Sequence, residues 1–140
     1  MADFNLESFL PYQIAVLNTR ISHDFSVIYK EKFGISRAEW RVVAHLAHSS
    51  SVSVREIHKK ADMDKSKVSR AAARLETEGY ILKRASDKDK RLLELSLTDK
   101  GRDMVAVLEP LALEFEQTFL EKLGADAAEF REAINTLLAD

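Results

Sequence analysis

Between Lys65 and Arg91 the sequence gathers side chains whose types and spacing suit holding a polyanion and touching the edges of bases. Ser66, Ser69, Arg70, Ala73, Arg74 and Thr77 recur at helical spacing and so share one helix face, with Lys65 and Lys67 in its first turn. Guanidinium groups pair bidentately with guanine or phosphate, hydroxyls hydrogen-bond to either, and alanine keeps the face slender enough for a major groove roughly 12 Å wide. Val68, Ala71 or Ala72, and Leu75 form the opposite, apolar stripe on which such a helix would sit. The helix N-terminus adds a partial positive charge for a phosphate. An ordinary solvated helix also presents basic residues, so the neighbouring elements have to decide between the two.

Charge distribution favours the polyanion. The 140 residues carry a formal net charge of −2, yet the stretch from Arg55 to Arg102 holds 14 Lys and Arg against 9 Asp and Glu, and the remainder 7 against 14. A basic middle between acidic ends turns one face towards nucleic acid. Lys88, Lys90 and Arg91 extend that middle into the segment Ala85–Arg91, which is polar and charged almost throughout.

The elements that would position these residues follow from periodicity. Leu10, Ile14, Leu17, Ile21 and Ile28 predict a first helix from Leu6 to about Lys32, with Pro11 in its first turns and Gly34 as its C-cap. Ser36 and Glu39 form a capping box that opens a second helix carrying Trp40, Val43, Ala44 and Leu46 and ending in the serine run 49–51. Ser53 and Glu56 repeat the box for a short third helix, Val54 to Ala61. A turn at Asp62-Met63-Asp64 leads into the fourth helix, which runs to Glu78 and is ended by Gly79. Tyr80–Arg84 and Leu92–Leu97 read as two strands of a hairpin with a long tip. Thr98 caps a fifth helix through Met104, Leu108, Leu111, Phe115 and Phe119 to about Leu123, and after Gly124 a last helix spans Asp126 to Leu138.

Two short helices joined by a tight turn and followed by a hairpin make a winged helix-turn-helix, so the expected class is mainly α with a small β-hairpin wing. The chain is expected to form a single domain, 1–140, with a DNA-binding lobe at 36–98 and helical dimerisation regions at 1–33 and 99–140. A flexible wing can place Arg91 in a narrow minor groove, or Arg91 can pair with Asp87 or Asp89 and order the loop; the two are compatible.

Other classes find little support. The chain has no cysteine, which removes disulfides, thiol-based zinc sites and thiol switches. It has no run of about 18 apolar residues and no basic secretory start, so a cytoplasmic protein without a membrane segment is expected. A phosphate-cradling glycine loop and a G-x-S-x-G elbow are both missing, which argues against an enzyme. His45 and His48, three apart on one helix, are too few for a metal site, and no cofactor is expected.

Taken in order, Glu39-Trp40-Arg41-Val42, Ser53-Val54-Arg55-Glu56-Ile57, the run Met63–Arg70, the run Arg74–Ile81, Asp87–Arg91 and Leu95–Arg102 make the sequence similar to the MarR family of bacterial regulators over almost the whole chain. The resemblance implies an all-helical homodimer with one wing per subunit, its interface built by the first, fifth and last helices, and double-stranded DNA as partner. Carried over by position, Ser66, Lys67, Ser69, Arg70 and Arg74 would meet the major groove or its phosphates. Ser53 and Lys65 would touch the backbone, and Lys88, Lys90 and Arg91 would belong to the wing. A two-fold dimer binds a palindrome with half-sites about one helical turn apart.

Many members of the family release DNA on binding a small aromatic acid or phenol between the dimerisation helices and the reading lobe. Polar residues near the first two helices are the candidates here: Arg20 or Arg41 for a carboxylate, His23, Trp40 or His45 beside a ring. Trp40 equally fits the core. The alternative is a constitutive DNA-binding or protein-interaction module with no small-molecule switch.

Overall fold

The computed structural model describes residues 3–139. Its helices are α1 (Leu10–Phe33), α2 (Arg37–Leu46), α3 (Val54–Ala61), α4 (Lys65–Thr77), α5 (Asp99–Glu121) and α6 (Ala127–Leu138), with strands β1 (Val52–Ser53), β2 (Ile81–Ala85) and β3 (Leu93–Leu97). Among the described residues, no helix is long and apolar enough to cross a membrane. The chain groups into two compact units, one reaching to Ala106 and the other beginning at Val107. The second starts within α5, close to Pro110, which has no N–H to give the carbonyl of Ala106 four residues earlier.

Helix α1 begins later than its apolar stripe predicts. Leu6–Ser8 instead form a separate 3-10 turn, capped by the Asn5 side chain, and Pro11 lies in the first turn of α1, where a missing N–H costs nothing. Gly34 ends α1 in a left-handed conformation (φ 67°) that a side chain would disfavour. The predicted box at the start of α2 is complete: Glu39 N–H donates to Ser36 Oγ (3.2 Å), and Ser36 N–H donates to Glu39 Oε1 (3.2 Å). Helix α2 stops at Leu46, before the serine run.

The first unit's core lies where α2, α3 and α4 meet a small sheet. Val42, Val43, Leu46, Ile57, Val68, Leu75, Ile81 and Leu95 are buried there. The sheet has three strands in the order β1-β3-β2, all antiparallel, rather than the two of a simple hairpin. Val52 pairs with Leu95 and Ser53 with Glu94, while Ile81 pairs with Leu97 and Ala85 with Leu93. Strand β1 is two residues long, too short for alternation to reveal it in the sequence.

Helix α5 starts hard against this sheet. Thr98 Oγ1 accepts from Gly101 N–H (3.1 Å) and donates to the Gly79 carbonyl (2.6 Å), tying the helix start to the end of α4. A Cβ on Gly101 would lie 2.2 Å from the Tyr80 carbonyl oxygen and 3.0 Å from Leu97 Cδ2, so only glycine fits. Gly101→Ala is expected to destabilise the protein by about 1–3 kcal/mol through overpacking against backbone, measured as a lower urea midpoint.

Candidate nucleic-acid interface

The turn between α3 and α4 sets the angle of α4. Asp62 takes a left-handed conformation (φ 52°) at the end of α3, a placement that Asp tolerates better than most residues. The His58 ring hydrogen-bonds through Nδ1 to the Met63 carbonyl and closes the turn. Beyond it, α4 is two-sided as its spacing predicts. Val68, Ala71, Ala72 and Leu75 are buried, whereas Lys65, Ser66, Lys67, Ser69, Arg70, Ala73, Arg74 and Thr77 are exposed. Asp64 occupies the N-cap position, but its side chain makes no capping hydrogen bond.

One cation on this face is held from behind. Arg74 Nε lies 3.6 Å from Glu39 Oε1; the carboxylate side chain is 7% exposed and the arginine side chain 63%. The same carboxylate closes the α2 capping box and accepts from Ser36 Oγ (2.8 Å). Glu39 therefore fixes the α2 terminus and aims an exposed guanidinium at once. Sequence spacing gave Glu39 as a cap, but its second partner lies 35 positions away and only folding brings the two together.

The wing is anchored at both ends. At its base, Lys83 Nζ pairs with Glu76 of α4 (3.6 Å), and Lys100 Nζ donates to the Glu78 carbonyl (2.7 Å). At its tip the buried Ser86 hydroxyl accepts from the N–H groups of Lys88 (3.2 Å) and Asp89 (3.3 Å). Asp89 in turn grips Arg91 as a fork, Nε to Oδ1 at 3.1 Å and Nη2 to Oδ2 at 3.2 Å. These hydrogen bonds, with one from the Arg91 N–H, hold the Asp89 carboxyl below its usual range, and Arg55 adds a smaller pull. Arg91 remains 89% exposed in its side chain, so the fork orders the arginine without covering it. Lys88 and Lys90 are also exposed. Arg55, on the exposed side of α3, brings the wing a cation that the sequence reading did not single out.

Ser53, expected at the DNA backbone, is placed at the N-cap of α3. It is 6% exposed, and its hydroxyl accepts from Glu56 N–H (3.1 Å) to cap α3, because β1 carries it into the sheet beside Glu94.

The five residues considered for an effector are not brought together. Trp40, Arg41 and His45 line one recess of about 380 Å³ with Ala44 and Ala61. Arg20 lines a separate groove on α1 with Tyr12 and Leu17, and His23 is exposed elsewhere on that helix. Trp40 is largely a packing residue, stacked on Tyr29 (5.7 Å between ring centres) and edge-on to Phe25 (5.3 Å). Burial lowers the His45 pKa, and the positive charges of Lys60 and Arg41 lower it further.

Two outcomes follow. Glu39→Ala is expected to cost about 1 kcal/mol of stability through the lost capping box, and to weaken duplex binding several-fold. Because Glu39 and Arg74 act as a pair, Arg74→Ala should then add less than it does alone, read from a double-mutant cycle in fluorescence anisotropy. For His45, the unfolded chain takes up a proton near pH 6.5, before the folded chain does. Stability is thus unaffected above that pH and falls as pH drops below it. His45→Gln should flatten the decline in urea midpoint between pH 7 and 5.

Comparison with known proteins finds transcriptional regulators of the same fold. A family model described as the MarR family matches residues 33–92, the segment from the end of α1 to the wing tip. The chain is 29% identical over 133 residues to an uncharacterized HTH-type transcriptional regulator, YdgJ, of Bacillus subtilis (strain 168), covering 95% of this chain and 77% of that one. A MarR/EmrR family transcriptional regulator from Acinetobacter sp. ADP1 has a crystal structure similar to this one with a TM-score of 0.83 and 29% identity, over 97% of this chain and 96% of that one. A cysteine-to-serine mutant of MarR from E. coli, crystallised in complex with operator DNA, shares the fold with a TM-score of 0.82 at 20% identity, over 99% of this chain and all of that one (100%). Residues 33–92 thus match the MarR family, and over nearly its whole length the chain is similar to winged helix-turn-helix transcriptional regulators.

Proposed function

We propose that this protein binds a palindromic operator as a homodimer, represses transcription by occupying it, and is released by a small aromatic acid or phenol. The observation that carries the reading is the two-sided α4, with Ser66, Lys67, Ser69, Arg70 and Arg74 outward and its apolar stripe buried. Lys65 stands in the first turn of that helix, and Lys88, Lys90 and the oriented Arg91 fit a wing that follows the adjacent groove. The MarR complex with operator DNA supports the same use of a shared fold.

Dimerisation is supported by apolar side chains left open in both units. Leu10 and Ile14 on α1 are 68% and 58% exposed, and Leu137 and Leu138 on α6 are 73% and 75% exposed. Exposed apolar stripes on terminal helices are what a second copy covers. A bound dimer would cover about two turns of duplex, enough to exclude polymerase from an overlapping promoter. For release, the recess at Trp40, Arg41 and His45 combines a ring, a guanidinium and an imidazole, which suits an aromatic carboxylate.

Selection from a pool of random duplexes tests this directly. A palindrome should be enriched, with affinity falling steeply between two salt concentrations. Arg70→Ala and Arg91→Ala should each weaken binding about tenfold, the cost of losing one good contact. Benzoate or salicylate should then lower the affinity of wild type. Failure to enrich any sequence, with both variants binding like wild type, would reduce the basic face to a solvated surface. Enrichment with no response to the acids would leave a constitutive DNA-binding protein.

A further inference from the structure

A cleft of about 700 Å³ lies between the N-terminal part of α2 and the outward side of α4. Five cations line it: Arg37 and Arg41 from α2, and Lys67, Arg70 and Arg74 from α4. Three carboxylates also border it, but they do not cancel the five. Glu39 is already engaged by Ser36 and Arg74, and with Asp62 and Asp64 in the turn before α4 the lining keeps an excess of two positive charges. Among the described residues Lys67 and Arg70 form no ion pair. Arg41 reaches only the Ala61 carbonyl, at 3.5 Å, and Arg37 stands beside the buried Tyr29 hydroxyl. Ala38, Met63 and Ala71 give the wall an apolar part.

From this arrangement we propose that the cleft binds a small organic phosphate, which competes with DNA for Lys67, Arg70 and Arg74. Clustered guanidiniums favour phosphate because each offers a planar fork of donors to its oxygens. The volume is that of a small-molecule site and admits a ligand of nucleotide size. Three of the five cations are also assigned to the duplex, so the ligand and DNA cannot both use them. The proposal rests on α4 being the DNA-reading helix. It shares Arg41 with the Trp40 recess but differs from release there in ligand and mode, since it needs no change of shape.

Inorganic pyrophosphate is the probe, titrated calorimetrically beside sodium sulfate at equal ionic strength. Displacement of a labelled random duplex is followed in parallel. Pyrophosphate is expected to bind at least tenfold more tightly than sulfate and to displace the duplex. Arg37→Ala and Arg41→Ala, each checked for folding by circular dichroism, should weaken pyrophosphate binding at least fivefold. Equal binding of the two salts, or variants that bind pyrophosphate like wild type, would overturn the proposal. It would also be overturned if pyrophosphate fails to bind while Arg37→Ala weakens duplex binding and lowers its salt slope by about one, because the cleft would then seat a phosphate of DNA itself. Pyrophosphate binding as expected by a protein that binds no duplex would support the cleft and count against the DNA reading alone.

Discussion

Burial of Val68, Ala71, Ala72 and Leu75 against α2 and α3 is the constraint from which the reading lobe follows. A 13-residue helix is marginal alone in water, so α4 persists because its back is packed. Full burial of a valine or leucine side chain contributes roughly 1.5–3 kcal/mol, and the two alanines let the helices approach closely. That packing fixes the rotation of α4 about its axis. Once the rotation is fixed, every polar residue of the repeat must face outward, and the basic face is the reverse side of the core.

Cations on such a face are useful only if they are held in place. Arginine carries several rotatable bonds, and immobilising it on binding costs affinity. The structure orders two of them beforehand. Glu39 holds Arg74 from the α2 terminus, and Asp89 holds Arg91 from within the wing. In both, a carboxylate takes part of the guanidinium and leaves the rest exposed. Each of these acids is also part of a local turn, through Ser36 in one case and Ser86 in the other. A change in either turn therefore reaches the exposed guanidinium directly.

Local signals carried most of the architecture. The capping box at Ser36, the left-handed glycine at 34 and the apolar stripe of α4 each involve residues within a few positions and appear as their spacing predicts. At Ser53 the hydroxyl caps α3, but the reciprocal bond from its own N–H to Glu56 is not formed. Features that depend on distant partners were not legible. Strand β1 exists only because Val52 and Ser53 meet Leu95 and Glu94. The same pairing buries Ser53, whose hydroxyl caps α3. The division of Trp40, Arg20 and His23 among separate surfaces needed the path of α1 over α2, which periodicity does not give. The cation cleft escaped notice for a similar reason: Arg37 and Arg70 are 33 positions apart and belong to different helices.

On the proposed reading, the outward side of α4 and the tip of the wing are the surfaces that meet DNA. Titration of the ¹⁵N-labelled protein with a duplex, followed by amide chemical shifts, tests it residue by residue. The largest changes are expected at Lys65–Thr77 and at positions 86–92, diminishing as salt is raised. Changes confined to α1 or α6, or none at saturating duplex, would contradict it.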